Sequence, residues 1–361
     1  GKSRQVAIPE YLFHYPALML YPGEKGVFGV GSQGTGAFTL REFHVGRIAT
    51  LSAYKNYWAR TIAGAWGGGP YVDEVRFIDL GDNMATGIAA MASHQVDGLV
   101  ITDPRQVAAL RAMPFVERYT VPSSECGVLR FHVDRKPWND ARVRMAMRLG
   151  LDNASFIQLA LRGLGTLGQD CQVGPMQPDY GKVPDVDRNI AKAKQLLREA
   201  GYPNGFATEL AAPADFGWVG AESETAIEQW KAIGVRVRLK LMPGQEYWNV
   251  WTKVPFGCTN WAHRPLGVMQ LNLAYRTGVP WNESGYSNPA FDKLLDQAGG
   301  ILDAKKRAAV MAKLERILQL DGPMAQPVFV EAFTYMDKKV KGFTMHPTSN
   351  YIFCNRLALA A

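Results

Sequence analysis

Residues 261–292 of the chain, WAHRPLGVMQLNLAYRTGVPWNESGYSNPAFD, hold its most informative pattern. Asn288 followed by Pro289 predicts the start of a helix, because an asparagine side chain caps a first turn and proline suits the first helical position. Ahead of this start, aromatic and basic side chains occur together in a stretch that is rich in turn-forming residues. The segment therefore predicts a helix from Pro289 that follows an irregular, chemically varied stretch.

Outward from this segment, helix and strand patterns alternate along the chain. Residues 187–201 predict a helix that carries Ile190 and Leu197 on one apolar stripe and stops at Gly201. Residues 235–242, VRVRLKLM, alternate apolar and basic side chains as a half-exposed strand does. Further strands are predicted at 34–43, 48–58, 72–80 and 127–133, a helix followed by a strand at 83–101, and helices at 222–233 and 303–322. This mixed order is typical of the α/β class.

Short polar side chains mark where several helices begin. Asn83 is a candidate cap, and Asn139 or Asp140 can cap the helix that follows. Asp187 or Asn189 can cap the 187–201 helix. The helix after Asp140 has its apolar positions near helical spacing, at Val143, Ala146, Met147 and Leu149.

Length and composition exclude several classes of protein. A chain of 361 residues is too long for one ordinary core, so two domains are expected. Its 47% hydrophobic and 20% charged residues are normal for a folded globular protein. The net charge of +7 comes from scattered basic residues, which argues against a nucleic-acid partner. The first residues, GKSRQVAIPEYLFHYPALML, are not identified as a signal peptide, because prolines break the apolar patch.

Motifs for catalysis or metal binding are absent from the sequence. It contains no GxSxG, HExxH or GxxxxGK[ST] pattern, and its six histidines show no ligand spacing. None of its four cysteines forms a CxxC pair. We therefore expect a protein that is not an enzyme and that needs no cofactor and no metal.

Separate segments resemble one protein family, and they occur in the order of that family. They are GTGAFTL (34–40), LSAYKNYW (51–58), VDEVRFIDLGDNMATGIAAMASHQVDGL (72–99), FHVDRKPWNDARVRMAMRLGLDNASFI (131–157), AKAKQLLREAGYPNGF (191–206) and YSNPAFDKLLDQA (286–298). Over nearly the whole chain they resemble the bacterial extracellular solute-binding proteins of the oligopeptide, dipeptide and nickel-binding type, family 5, which serve ABC importers.

The resemblance implies an α/β, two-lobed periplasmic-binding-protein-like fold (type II, large cluster) with hinge strands between the lobes. We expect lobe I at 1–125, lobe II at 126–330 and a return to lobe I at 331–361. The implied function is capture of a peptide-like or small anionic organic solute in the interlobe cleft, in the periplasm, and its delivery to an ABC permease in the inner membrane. Two alternatives stay open: a ligand sensor for a chemoreceptor or kinase, and a truncated relative that does not bind.

The resemblance also points to a ligand site. Peptide-binding members often place an acidic residue shortly after a tryptophan of lobe II, where it pairs with the ligand's ammonium group. The matching turn here begins at Trp261 and carries His263 and Arg264 instead of an acid. Arginine can hold a carboxylate or phosphate through two parallel hydrogen bonds. We therefore expect Arg264, or His263 if the turn aligns one residue earlier, to face the solute, with Trp261, Arg276, Trp281 and Asn282 as the other candidate contacts.

Two further expectations come from the same resemblance. One disulfide bond in lobe II is implied, with Cys126, Cys171 and Cys258 as candidates and no pairing chosen, and a buried thiol is the alternative for each. Family members also carry ~150 or more residues ahead of the segment that matches residue 10, more than one domain usually holds. We therefore expect this chain to be the C-terminal part of such a protein, either a monomer or paired with the N-terminal portion.

Overall fold

The structure is a computed structural model that describes residues 21–24, 26, 28–64, 67–81, 83–100, 104, 107–348 and 351–360. The chain divides into two compact units. Among the described residues, unit 1 consists of Pro122–Glu331 and Pro104, and unit 2 consists of the others. No helix within these described ranges is both long and apolar enough to cross a membrane.

Strands and helices alternate in chain order. The strands are β1 Phe38–His44, β2 Ile48–Ala53, β3 Glu74–Ile78, β4 Gly98–Val100, β5 Val116–Phe131, β6 Gly165–Leu167, β7 Ala207–Pro213, β8 Arg236–Met242, β9 Phe256–Trp261, β10 Met324–Ala325, β11 Val328–Asp337, β12 Val340–Lys341 and β13 Ala358–Leu359. The helices are α1 Met84–Ala92, α2 Val107–Arg111, α3 Ala141–Leu149, α4 Asn153–Leu159, α5 Ile190–Glu199, α6 Gly217–Trp230, α7 Gly244–Val250, α8 Gly267–Ala274, α9 Pro289–Gly299 and α10 Ala304–Asp321, with short 3-10 turns at Lys231–Ile233 and Cys354–Arg356. The expected α/β class is confirmed.

The helix caps that the sequence predicts are confirmed, whereas the helix predicted from residue 222 begins earlier, at Gly217. The side chains of Asn83, Asp140, Asn189 and Asn288 each accept a hydrogen bond from a main-chain N–H group of the first turn. Asp303 does the same for α10. Where the sequence left Asn139 or Asp140 and Asp187 or Asn189 open, the caps are the second of each pair. These bonds satisfy donors that a helix start otherwise leaves unpaired.

A mixed sheet forms the centre of unit 1. Strand β7 runs parallel to β8 and β9, and β5 runs antiparallel to β9. Strand β11 lies on the other side of β5, so the strand order is β11-β5-β9-β7-β8. Helix α6 connects β7 to β8 and packs on both of them.

Each face of this sheet is covered by its own apolar core. Along β5, Leu129 and Phe131 belong to one core, whereas Cys126 and Val128 belong to the other. This split follows from the strand geometry, since successive side chains point to opposite faces. In the first core the rings of Phe131, Trp138 and Phe256 contact one another, with centroids 4.7–5.2 Å apart. Such aromatic pairs add about 0.5–1.5 kcal/mol each beyond the burial of their area.

Helix α3 buries more than its apolar stripe. Val143, Ala146 and Met147 are buried as predicted, while Leu149 is only half-buried. The helix also buries Arg148, whose guanidinium donates to the main-chain oxygens of Leu318 and Gly322 at the end of α10. A cation at the carboxyl end of a helix satisfies carbonyl groups that have no partner within that helix. The 3.6-residue pattern alone did not indicate this role.

Unit 2 contains the first three strands as an antiparallel meander, in the order β1-β2-β3. Strand β2 ends at Ala53, so the predicted extension of this strand to Trp58 is wrong. There the chain turns, and the indole N–H of Trp58 donates to the carbonyl oxygen of Thr35 at 2.8 Å. In the same unit, β4 pairs with the second half of β11, and β12 pairs with β13.

Candidate functional site at one edge of the unit 1 sheet

The segments that follow β7, β8 and β9 meet at one edge of the unit 1 sheet, next to the middle of β5. Because β7, β8 and β9 are parallel, their carboxyl ends lie at the same edge. Strand β5 is antiparallel to β9, and its register places Cys126 opposite Trp261, the last residue of β9. Ligands of open α/β sheets bind outside the carboxyl ends of the strands. This edge is therefore the candidate functional site.

The turn after β9 is held against β5 by Ser124. The main-chain N–H of Ser124 donates to Nδ1 of His263 at 3.1 Å, and its hydroxyl lies 3.0 Å from the same ring nitrogen. The Ser124 hydroxyl also accepts from the N–H of Arg264 at 3.2 Å and lies 3.3 Å from the Arg264 carbonyl oxygen. Gln177 donates to that carbonyl at 3.0 Å. The turn is thus positioned by buried hydrogen bonds, which suits a site that must keep its shape.

Arg264 places a cation at this edge. The residue is only 3% exposed. Its Nη1 atom donates to the carbonyl oxygens of Ala262 and His263, at 3.0 and 3.1 Å. These contacts hold the guanidinium against its own turn. Because the turn follows the last residue of β9, the positive charge lies where the sheet geometry favours a ligand.

Tryptophans form an aromatic wall beside the turn. Trp251, Trp261 and Trp281 contact one another, with ring centroids 6.0–6.3 Å apart and interplanar angles of 66–78°. Trp248 extends the wall, with its ring centroid 5.9 Å from that of Trp251. Trp261 is buried, but Trp281 is 41% exposed. The wall therefore has a buried base and an accessible outer part that can contact an apolar group.

Glu283 fixes the base of this wall. Its Oε1 atom accepts from the indole N–H of Trp261 at 2.8 Å. Its Oε2 atom accepts from Nε of Arg130 at 3.0 Å and from the hydroxyl of Thr259 at 2.6 Å. All of these side chains are buried. The ion pair between Arg130 and Glu283 thus holds the indole of Trp261 in position. The sequence analysis did not identify this pair.

Arg276 and Asn282, the other two candidate contacts, already have partners within unit 1. Arg276 donates to Asn272 and to Asp296, each at 2.8 Å. The amide of Asn282 donates to the carbonyl oxygens of Arg276 and Tyr286, at 3.1 and 2.8 Å. The structure thus brings Trp261, His263, Arg264 and Trp281 to one edge, and it gives Arg276 and Asn282 contacts that stabilise the stretch before α9.

Two acidic side chains near this edge were not singled out by the sequence analysis. Burial raises the pKa of the Glu125 carboxyl to about 7. Burial raises the pKa of the Glu222 carboxyl, on α6, to about 8. A signal for Glu222 was present, since it lies four residues from both Trp218 and Ala226, which are buried core residues of the same helix.

The implied disulfide bond is not present, so that expectation is corrected. All four cysteines are free thiols, and Cys126, Cys171 and Cys258 are buried. Cys126 and Cys258 belong to the cores on opposite faces of the sheet, which prevents a bond between them. Burial also raises the pKa of each of these three thiols. Within the part of the chain that the structure describes, no group of His, Cys, Asp and Glu could hold a metal ion.

Comparisons with known proteins agree with the architecture. A family model described as bacterial extracellular solute-binding proteins, family 5 middle, matches residues 5–283. Heme-binding protein A of Haemophilus influenzae is 22% identical over 93% of this chain and 62% of its own length. The dipeptide-binding protein of Escherichia coli is 22% identical over 94% of this chain and 64% of its own length. The chain thus spans about three fifths of the length of these curated relatives.

Solved structures show the same fold. NikA from Staphylococcus aureus, in complex with Ni(L-His)2, superposes with a TM-score of 0.81 at 16% identity, covering 95% of this chain and 72% of that one. DppA from Helicobacter pylori, in complex with the peptide STSA, superposes with a TM-score of 0.77 at 20% identity, covering 91% of this chain and 63% of that one. The expected type II periplasmic-binding-protein fold is thereby confirmed.

Proposed function

The chain belongs to family 5 of the bacterial extracellular solute-binding proteins, and from this premise we propose that it is the substrate-binding part of an ABC importer. In this role it captures a peptide-like or small anionic organic solute in the periplasm. It then delivers the solute to a permease in the inner membrane. We further propose that units 1 and 2 correspond to the two lobes of the family.

The observation that carries this proposal is the buried cation of Arg264 beside the aromatic wall. A guanidinium that is shielded from water binds a carboxylate or phosphate through short, charge-assisted hydrogen bonds. Trp281 offers an apolar surface close to the wall's buried base. A solute with one anionic group and one apolar group satisfies both features. Peptides and amino-acid conjugates have this chemistry.

The relatives support the same class of solute. Their names say that they bind dipeptides or heme. These relatives are binding proteins, which agrees with a chain that makes and breaks no bond. We propose by analogy that this chain binds a solute of comparable size and chemistry and acts without a cofactor.

Native mass spectrometry of protein that is exported to the periplasm tests this proposal directly. We expect a bound small molecule that is released on denaturation and that carries a carboxylate or phosphate. The isolated molecule should then bind again in isothermal titration calorimetry, and vesicles with the cognate permease should take it up only when the binding protein is added. Failure of both rebinding and uptake would overturn the proposal.

A further inference from the structure

Glu222 carries a buried carboxyl group without a hydrogen-bond partner in the described structure. The residue is 0% exposed, and neither of its oxygens has a hydrogen-bond partner among the residues that the structure describes. The carboxylate lies directly against Gly127 of β5, so close that a Cβ atom on Gly127 would be 2.0 Å from Oε2. A buried acceptor that lacks a donor is costly, and this position therefore calls for an explanation.

Asn260 adds a third acceptor to the same place. Its Oδ1 atom is also buried and without a hydrogen-bond partner in the described structure. Asn260 is directly opposite Gly127 in the pairing of β5 with β9. Residues opposite each other in an antiparallel pair point their side chains to the same face, about 4.5–5.5 Å apart. We call this arrangement of Glu222, Asn260 and Gly127 the Glu222 niche.

The niche lies next to the carboxyl end of β9, on the sheet face opposite that of Trp261. Asn260 precedes Trp261, the last residue of β9, and it is partly exposed. Glu125, two residues from Gly127 on the same face of β5, is also partly exposed.

The chemistry of the niche selects the kind of ligand. The two carboxylate oxygens and the amide oxygen can only accept hydrogen bonds when Glu222 is ionised. A primary ammonium group has three donors and no acceptor, which matches this set. An anion would be repelled. A metal ion would need a cluster of ligands that the described residues do not form.

We propose that the Glu222 niche binds the primary ammonium group of the solute that this protein transports. This inference rests on the proposed function, and it narrows the solute to one with an ammonium group in addition to the anionic group that Arg264 would hold. Amino acids and their conjugates, including peptides with a free amino end, have this combination.

Binding in the niche should be coupled to release of a proton. Burial raises the pKa of Glu222 to about 8, so the empty niche holds a neutral carboxyl group at pH 7. Entry of an ammonium cation ionises this group, and one proton leaves to solvent for each cation that binds. The titratable groups on the strands packed against it are Glu125 and Cys126 on β5 and Cys258 on β9. The thiols have raised pKa values and stay neutral in this range.

Titration with methylammonium chloride tests the inference without knowledge of the solute. The carboxyl carbon of Glu222 is followed by NMR in protein with 13C-labelled glutamate, and its signal is assigned by its loss in Glu222→Gln. We expect methylammonium to shift this signal toward the ionised carboxylate. Its apparent Kd should fall about tenfold for each unit by which the pH rises toward 8, and it should stay constant above pH 8. Tetramethylammonium, which has the same charge but no N–H donor, should have no effect.

Two variants complete the test. Glu222→Gln should weaken methylammonium binding at least about tenfold, the usual effect of losing a hydrogen bond to a charged group. Glu224→Gln, an exposed position on the same helix, should leave the binding unchanged. If Glu222→Gln does not fold, Asn260→Ala serves in its place and should also weaken binding. Equal response to the two cations, or no response of the Glu222 signal, would overturn the inference and leave solute capture by the protein unaffected.

Discussion

At the scale of single residues, we propose that Arg264 decides which charge the candidate site prefers. Losing a charge-assisted hydrogen bond to a buried anion costs about 1.5–3 kcal/mol, or roughly ten- to a hundredfold in affinity. We therefore expect Arg264→Ala to weaken binding of the co-purified solute by that factor in calorimetry, and Arg264→Asp to weaken it further.

Two controls define what the Arg264 result means. Arg236→Ala removes an exposed arginine of β8 in the same unit and should leave affinity unchanged. His263→Ala tests the alternative alignment of the turn. If only His263→Ala abolishes binding, the anionic contact belongs to His263. If neither variant changes affinity, the anion lies elsewhere.

Glu222 should make the stability of the protein depend on pH. Its pKa is about 8 in the folded protein, against roughly 4.3 in an unfolded chain. Between these values the folded state binds more protons than the unfolded state, so stability falls as pH rises through this window and levels off above it. The free energy of unfolding of the wild type, relative to Glu222→Gln, should decrease by on the order of 1.4 kcal/mol per pH unit within the window. Urea titrations at several pH values measure this difference.

The exposed Glu224 provides the matched control for this prediction. Glu224→Gln should give a curve of stability against pH that parallels the wild type. A wild-type curve that also parallels Glu222→Gln would mean that Glu222 titrates normally in the folded protein.

At the scale of elements, Asp179 joins two helices of unit 1. Its carboxylate accepts from the N–H groups of Gly267 and Val268 at the start of α8, and it pairs with Arg307 of α10 at 3.0 Å. Both charged side chains are fully buried. One residue thus caps one helix and neutralises a cation of another, which no single helix pattern reveals.

Asp179→Ala should therefore be severely destabilising. Removing one partner of a buried ion pair typically costs about 3–5 kcal/mol, because the other charge stays buried without compensation. Asn288→Ala, which removes only the cap of α9, should cost about 1 kcal/mol. Unfolding in urea compares the two. Equal losses would show that the Asp179–Arg307 pair contributes no more than an ordinary cap.

At the scale of the whole molecule, the two large apolar cores both belong to one continuous segment. Every buried residue of these cores lies between Cys126 and Val330. This segment also contains Arg264, the aromatic wall and the Glu222 niche. Unit 1 thus holds the described candidate site and the core that supports it.

We therefore expect a fragment that consists of Pro122–Glu331 to fold on its own. Differential scanning calorimetry should show one cooperative transition, and methylammonium should shift the Glu222 signal as in the full chain. For comparison, unit 2 has a smaller apolar core around Ala37, Tyr57 and Ala59. A fragment that melts without a cooperative transition would mean that the cores depend on residues outside this range.

Much of this architecture could be predicted from local sequence. The caps at Asn83 and Asn288 and the alternation of residues 235–242 depend on interactions between neighbours in the chain. The order of such segments along the chain also indicated the family. The expectation that Trp261 and Arg264 contact the solute came from the family resemblance and stays a prediction, since spacing in the sequence does not state which strands are parallel.

The remaining features arise only when distant segments meet. Whether a charged side chain is exposed depends on what packs over it, and that is decided by contacts between residues far apart in the chain. Arg148 is buried because the end of α10 supplies carbonyl groups, and Glu222 is buried because Gly127 leaves room for a carboxylate. The sequence by itself thus determined the elements and the family. The tertiary structure decided which charges are removed from water, because desolvation is a property of the assembled core.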